Sequence, residues 1–227
     1  MEYNDLIYND SPGNWSPFFV STDTRETRNA VGQGICEHRL EHRSAKKRPV
    51  TIRYRSASLN KITLHDMNYS MYDGEARIHV PDMTNIYLCE LNLAGKSQVG
   101  QTTAEVPFFA NEIYMINANH PHTKRWESDG HQIMLKIDER DISAAVQRNL
   151  GAPIREPVIF ENKPFQMINK IKTLSQMVNL VCSDIETEQS FFGSRSGDSA
   201  EELLIDLIID RFKIYFKFIF IFIFYLI

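Results

Sequence analysis

From about residue 50 to 137 the chain alternates apolar and polar positions in short runs. Ala76, Ile78 and Val80 share one face of an extended segment, and Arg77 and His79 share the other. Tyr87, Cys89, Leu91 and Leu93 alternate with Ile86, Leu88, Glu90 and Asn92. Ile113 and Met115 oppose Tyr114 and Ile116, and Ile133, Leu135 and Ile137 oppose Gln132, Met134 and Lys136. Turn-forming pairs separate these runs: Asp73-Gly74, Pro81-Asp82, Ala94-Gly95, Ala110-Asn111, His120-Pro121 and Asp129-Gly130. Strands at roughly ten-residue spacing with such punctuation predict an antiparallel sandwich or barrel.

After Asp138 the period becomes helical. Ile142, Ala145, Val146 and Leu150 form one stripe of a helix over Arg140 to Leu150, with Gly151 as its C-cap. Ile168, Ile171, Leu174, Met177, Val178 and Val181 predict an amphipathic helix over Phe165 to Glu186. A third helix starts at Ser199, where Ser-Ala-Glu-Glu202 reads as a capping box. The apolar faces of these helices call for cover by the strands or by a second chain. Ahead of the strands, residues 1–30 lack periodicity and read as an extended arm anchored by Trp15, Phe18 and Phe19. The expected division is therefore an arm at 1–30, a barrel at 31–137, a helical dimerisation region at 138–211 and an apolar tail at 212–227.

That tail is built only from Phe, Ile, Tyr, Lys and Leu. All are written by AT-rich codons, which suggests translation past a frameshift or insertion junction. Its uninterrupted apolar run, Phe218 to Ile227, is ten residues, against the roughly 17–25 that a spanning helix needs. No membrane partner is expected, and a tail-anchored sensor stands as an alternative.

Composition narrows the classes. In 227 residues, 43% are hydrophobic and 24% charged, with a net charge of −4. That excludes intrinsic disorder, a collagen-like chain and a general electrostatic pull toward nucleic acid. Cys36, Cys89 and Cys182 form no CxxC pair, and with no N-terminal signal sequence this points to a reducing cytoplasm. Seven bases between Arg39 and Arg55 face only Glu41, while Ser183 to Asp210 carries eight acids and one base, Arg195. Solvated surface or a complementary interface would explain both.

No Gly-rich phosphate loop, HExxH or GxSxG appears, so no catalytic residue is expected. His120-Pro-His122 could share a metal, but His131 and Glu127 are the nearest further ligands, so no metal or other cofactor is expected. A lumen lined by Arg77, His79, Tyr87, His122, Lys124 and His131 would suit a small anionic or polar ligand through charge-assisted hydrogen bonds. Alternation alone also permits the opposite parity, with these side chains facing outward.

Several segments carry a family resemblance when taken in order. Cys36-Glu-His-Arg-Leu40, Leu64-His-Asp-Met-Asn-Tyr69, Ile86-Tyr-Leu-Cys-Glu-Leu-Asn-Leu-Ala-Gly95, Val106-Pro-Phe-Phe-Ala-Asn-Glu-Ile-Tyr-Met-Ile116, Leu150-Gly-Ala-Pro153 and Pro157-Val-Ile-Phe160 resemble the sensory domain of AraC/XylS-type transcription regulators. The likeness spans roughly residues 30–210. Ala110-Asn111-Glu112 departs from the family's Pro-Gly-Asp turn by losing the glycine.

The resemblance implies a mainly β, cupin-like double-stranded β-barrel (jelly roll) followed by amphipathic dimerisation helices. It also implies a small-molecule effector of the sugar or aromatic carboxylate class. Homodimers, or heterodimers with an intact homologue, are expected. DNA would be reached only through a missing C-terminal domain, so the chain is expected to be truncated and unable to bind DNA specifically alone. A metal-dependent cupin enzyme using His120 and His122 is the rival expectation.

Overall fold

The computed structural model describes residues 14–43, 50–71, 74–81, 83–101, 105–127, 129–166, 172–187, 189–192, 194, 197–212 and 214–215. The elements begin with β1 (Phe19–Ser21), α1 (Thr24–Gly34), β2 (Arg39–Arg43), β3 (Thr51–Ser58), β4 (Ile62–Ser70), β5 (Glu75–Val80) and β6 (Ile86–Ala94). There follow β7 (Lys96–Gly100), β8 (Val106–Phe109), β9 (Glu112–Ile116), β10 (His122–Trp126) and β11 (Gly130–Asp138). The C-terminal part holds α2 (Glu139–Leu150), β12 (Ile159–Phe160), β13 (Phe165–Gln166), α3 (Lys172–Asp184), α4 (Asp198–Arg211) and β14 (Ile214–Tyr215).

The strands form two large antiparallel sheets, seven-stranded in the order β1-β3-β4-β11-β6-β9-β13 and five-stranded in the order β2-β5-β10-β7-β8, and β12 pairs with β14 in a two-stranded third. This double sheet with helices appended agrees with the expected mainly β architecture, although among the described residues the two sheets are not joined into one closed barrel. Turn chemistry fixes the corners. Gly95 sits at φ 88°, where a Cβ would lie 2.1 Å from the Asp129 carbonyl oxygen. Asn111 takes φ 64° in the turn that lacks glycine, and Glu112 Oε2 accepts from Phe109 N at 2.7 Å across it. Asparagine thus supplies the left-handed residue that glycine would otherwise provide.

The larger sheet is buried on both faces, so the molecule has two cores. Leu64, Cys89, Leu91, Met115, Leu135 and Ile137 point to the helices and meet Ile142, Val146, Val178, Leu204 and Ile208. Met67, Tyr69, Leu88, Ile116 and Met134 point the other way, toward Ile78, Val80, Val99, Phe108 and Trp126 of the smaller sheet. Double burial explains why β9 reads as a continuous apolar run rather than a clean alternation.

The helix termini differ in part from the sequence reading. α2 matches: Asp138 caps it by accepting from Arg140 N at 2.8 Å, and Gly151 ends it at φ 65°. Phe165 and Gln166, the expected start of the second helix, instead pair with Ile113 and Glu112 as an edge strand, α3 is described from Lys172, and Ile168 and Ile171 lie outside the described residues. α4 has no capping box. Glu201 is fully buried and accepts from Asn60 N, Lys61 N and Ile62 N at 3.2, 2.7 and 3.2 Å, which ties α4 to the β3–β4 turn. Glu202 pairs instead with Lys61 Nζ.

The described part of the arm is folded. Trp15 is 4% exposed beneath the Arg55 guanidinium, 4.4 Å from its ring, and Phe18 lies under Arg53 and Arg55. β1 pairs with β3, and Asp23 caps α1 by accepting from Arg25 N and Glu26 N. Residues 1–13 lie outside the described residues.

At the other end, Phe212 is 4% exposed and packs edge-on against Phe160 and Phe165, while Ile214 pairs with Phe160. The segment expected to be alien from residue 212 therefore begins inside the core. Its remainder, 213 and 216–227, lies outside the described residues. Among the described residues no helix is long and apolar enough to cross a membrane.

Candidate ligand cavity between the sheets

A cavity of about 40 Å³ lies between the two sheets under α1. The larger sheet contributes Met67, Leu88, Glu90 and Met134, and the smaller sheet Ile78, Val80, His122, Lys124 and Trp126. α1 and the turn after it close the space with Val31, Ile35, Cys36 and His38. The end of α1 is pinned tightly: Lys136 Nζ donates to Gly34 O at 3.0 Å. A Cβ on Gly34 would come within 2.0 Å of the Tyr54 hydroxyl, which itself bonds His65 Nδ1 at 3.0 Å.

At the cavity wall Lys124 Nζ donates to Glu90 Oε2 at 2.7 Å, with side chains 5% and 3% exposed. The same ammonium meets Gln132 Oε1 and lies 4.9 Å from the Trp126 ring centroid. Burial pulls the Lys124 ammonium below its usual range, and the Glu90 charge opposes that shift. Two carriers of charge removed from water cost several kcal/mol each before their attraction repays it, so such a pair is weak evidence of a purely stabilising role.

Two histidines complete the polar lining. His122 is 6% exposed, and burial, followed by the nearby Lys124 charge, pushes its imidazole down to about 3. Its Nδ1 has no hydrogen-bond partner. His38 turns Nδ1 to Cys36 O at 3.0 Å and leaves Nε2 unpartnered, and burial lowers it too. The indole Nε1 of Trp126 is likewise without a partner. Neutral imidazoles with one open nitrogen can donate to or accept from a ligand hydroxyl or carbonyl.

Of the six side chains expected to share a lumen, His122 and Lys124 line this cavity. The other four lie elsewhere, for reasons of strand parity. On β5 the even residues point inward, so Arg77 is on the outer face beside Glu75 at 3.5 Å, and His79 opens onto a surface groove with Arg39 and Glu41. On β6 the odd residues face the helices, where Tyr87 donates to Val158 O at 2.6 Å and meets Phe160 edge-on. His131 faces outward and holds Asp66 at 2.8 Å, which also accepts from Arg55 at 2.9 Å. Arg55 then reaches Glu186 at 3.1 Å, linking the basic and acidic stretches.

Glu90 and His38 were missed by sequence reasoning. A usable signal existed for the first: an acid inside Ile86-Tyr-Leu-Cys-Glu-Leu91 can be buried only with a partner. His122 lines the cavity and His120 does not. His120 sits at the turn with Nδ1 on Ala118 O at 2.7 Å, and among the described residues no three His, Cys, Asp or Glu side chains form a group able to hold a metal.

A family model described as the AraC-binding-like domain matches residues 27–208. Among solved structures, the AraC-like transcriptional activator CuxR superposes with a TM-score of 0.61 at 10% identity, covering 85% of this chain and 69% of that one. The cupin domain of Cnp3 from Schizosaccharomyces pombe gives a TM-score of 0.34 at 7% identity over 45% of this chain and 73% of that one. A predicted oxalate decarboxylase from Thermotoga maritima gives 0.34 at 13% identity over 44% and 91%. No curated protein matches the chain.

Proposed function

The chain belongs to the AraC-binding-like domain family, and from that footing we propose that it is the effector-binding and dimerisation part of an AraC/XylS-type regulator, without enzymatic activity or cofactor. The effector is a small organic molecule, of the size of a sugar or an aromatic acid, held between the two sheets. The observation that carries this reading is the buried Lys124–Glu90 pair with His38 and His122 around a cavity in the middle of the fold. Burying unpartnered polar atoms costs stability, and ligand sites are where such costs recur.

A volume of about 40 Å³ holds little more than one water. Effector entry therefore requires α1 to retreat, carrying Val31 and Ile35 with it. The segment before α1 is tied to the helical layer: Asn14 N donates to Ile185 O at 2.9 Å, and Arg55 bridges Trp15 to Glu186. A shift of α1 would thus be felt at the end of α3, a bistable link of the kind ligand-driven population shifts use. Leu180 on α3 and Leu203 on α4 are 58% and 53% exposed, and they supply apolar surface for pairing with a second copy or an intact homologue. Contact with DNA would come from the regulator's DNA-binding part, and the setting is the cytoplasm, where the three unpaired thiols stay reduced.

A thermal-shift screen of sugars, aromatic acids and small alcohols tests this reading. A ligand present at 100 times its Kd adds about 2.7 kcal/mol to stability. The same ligand should change Trp126 emission, which a Trp15→Phe background isolates. If no compound moves either the melting temperature or that emission, the reading fails.

A further inference from the structure

Resting on that effector-binding reading, we infer that the cavity selects an uncharged, mainly apolar molecule carrying one or two hydrogen-bonding groups, and rejects carboxylates, phosphates and polyols. The lining holds one cation, Lys124, and one anion, Glu90, 2.7 Å apart. The cavity is thereby neutral before any ligand arrives. The ammonium is also engaged by Gln132 Oε1 and lies over the rings of Trp126 and Phe108 at 4.9 and 5.7 Å. An incoming anion would have to take Lys124 away from Glu90, leaving that carboxylate 2% exposed and without a counter-charge.

The rest of the lining gives the same answer. Nine of its thirteen residues, among them Ile78, Val80, Leu88 and Met134, are apolar, so a sugar would bury more hydroxyls than the few open polar atoms could bond. The polar atoms that do stand open are neutral: His38 Nε2, His122 Nδ1 and Trp126 Nε1. His38 and His122 are each more than nine-tenths buried. With Nδ1 of His38 turned to Cys36 O, its Nε2 is an acceptor suited to a hydroxyl, and an indole N–H suits a hydroxyl or carbonyl oxygen. An apolar body with one alcohol, phenol or ketone group satisfies this set.

Matched probes on the full chain decide it: benzyl alcohol against benzoate, 1-octanol against octanoate, and xylose, each followed by calorimetry and thermal shift. The alcohols should bind, and their carboxylates should bind at least about tenfold more weakly. Glu90→Gln should reverse that order, because the ligand carboxylate then takes the place Glu90 holds. If Glu90→Gln does not fold, benzylamine on the unmodified chain serves: it should bind at least about tenfold more weakly than benzyl alcohol, because Glu90 is already paired, and equal binding would overturn the charge selection. Carboxylates or xylose binding the unmodified chain as well as the alcohols, or Glu90→Gln leaving the order unchanged, would overturn the charge selection while sparing the effector reading. Silence of every probe on every variant would remove the effector reading, and this inference with it.

Discussion

On the helix side of the larger sheet, Leu64, Cys89, Leu91, Leu135 and Ile137 meet Ile142, Val146, Val178, Leu204 and Ile208 in an apolar layer. On the cavity side the same strands present His65, Glu90 and Gln132, all buried. In register, Met134 lies opposite both His65 and Glu90, so these groups cluster at the centre of one face. The carboxylate at the edge of the helix layer, Glu201, is satisfied by three backbone N–H groups and has no opening toward a ligand. One face spends its residues on cohesion, the other on chemistry that costs cohesion. The contrast marks the cavity face as the one whose buried polar groups work against cohesion.

The largest effect should come from splitting the cavity pair. Lys124→Met leaves Glu90 buried and alone, at a cost of about 4 kcal/mol. The double variant Glu90→Leu/Lys124→Met should recover to within about 1 kcal/mol of the unmodified protein, because matched apolar groups replace both charges. Urea denaturation of the parent, of Lys124→Met and Glu90→Leu singly, and of the double variant measures the coupling. Equal losses in single and double variants would mean that the pair is not a unit. On the opposite face, Leu135→Ala removes a fully buried side chain between Leu64 and Cys89 and should cost about 3 kcal/mol. No partner substitution restores it by charge matching, and ligand preference should not change. A shift in alcohol-over-carboxylate preference in Leu135→Ala would erase the distinction between the faces.

The same double burial decides what could be read from sequence. Alternation gave the strands and correctly set Ala76, Ile78 and Val80 opposite Arg77 and His79. It gives two faces without saying which is inside, and a lumen imagined as cationic takes the wrong one on β5 and β6. Lys124 was legible as a candidate, whereas its partner Glu90 was hidden in a run whose two sides are both buried. α1 has only Thr27 and Val31 buried, too little for an apolar stripe, although Asp23 ahead of Glu26 is a readable start. Phe165 looked helical by period and is a strand because the free edge of β9 is beside it. Phe212 looked foreign by composition, yet Phe160 and Phe165 form its socket.

Acidification should expose the contrast at a middle magnitude. Burial, then Lys136 for His65 and Lys124 for His122, pushes both imidazoles down to about 3, while the unfolded chain binds protons near 6.5. Each group therefore contributes its stability in full above about pH 6.5 and loses it as the pH falls toward 3. At pH 5 the loss is about 2 kcal/mol per histidine, from 1.36 kcal/mol per pH unit. Urea midpoints for the parent, His65→Gln and His122→Gln at pH 7 and 5 test this. Each variant should lose less on acidification than the parent does, and parallel losses in all three would place the acid sensitivity outside the cavity face.

The smallest effect belongs to the surface of the helix layer. Arg148 Nη2 on α2 meets Asp206 Oδ1 on α4 at 3.2 Å, with side chains 45% and 36% exposed. Solvent and salt screen such a pair, and fixing two long side chains offsets much of what remains, so Asp206→Asn should cost less than about 0.5 kcal/mol. The two helices are held instead by Ile142 and Val146 against Leu204 and Ile208, all buried at 2% exposure or less. If cohesion on this face is apolar, the small loss should vanish at high salt while Leu135→Ala keeps its full cost. A loss above about 1.5 kcal/mol for Asp206→Asn would mean that charge holds the helices too, and the two faces would then differ only in where their charges sit.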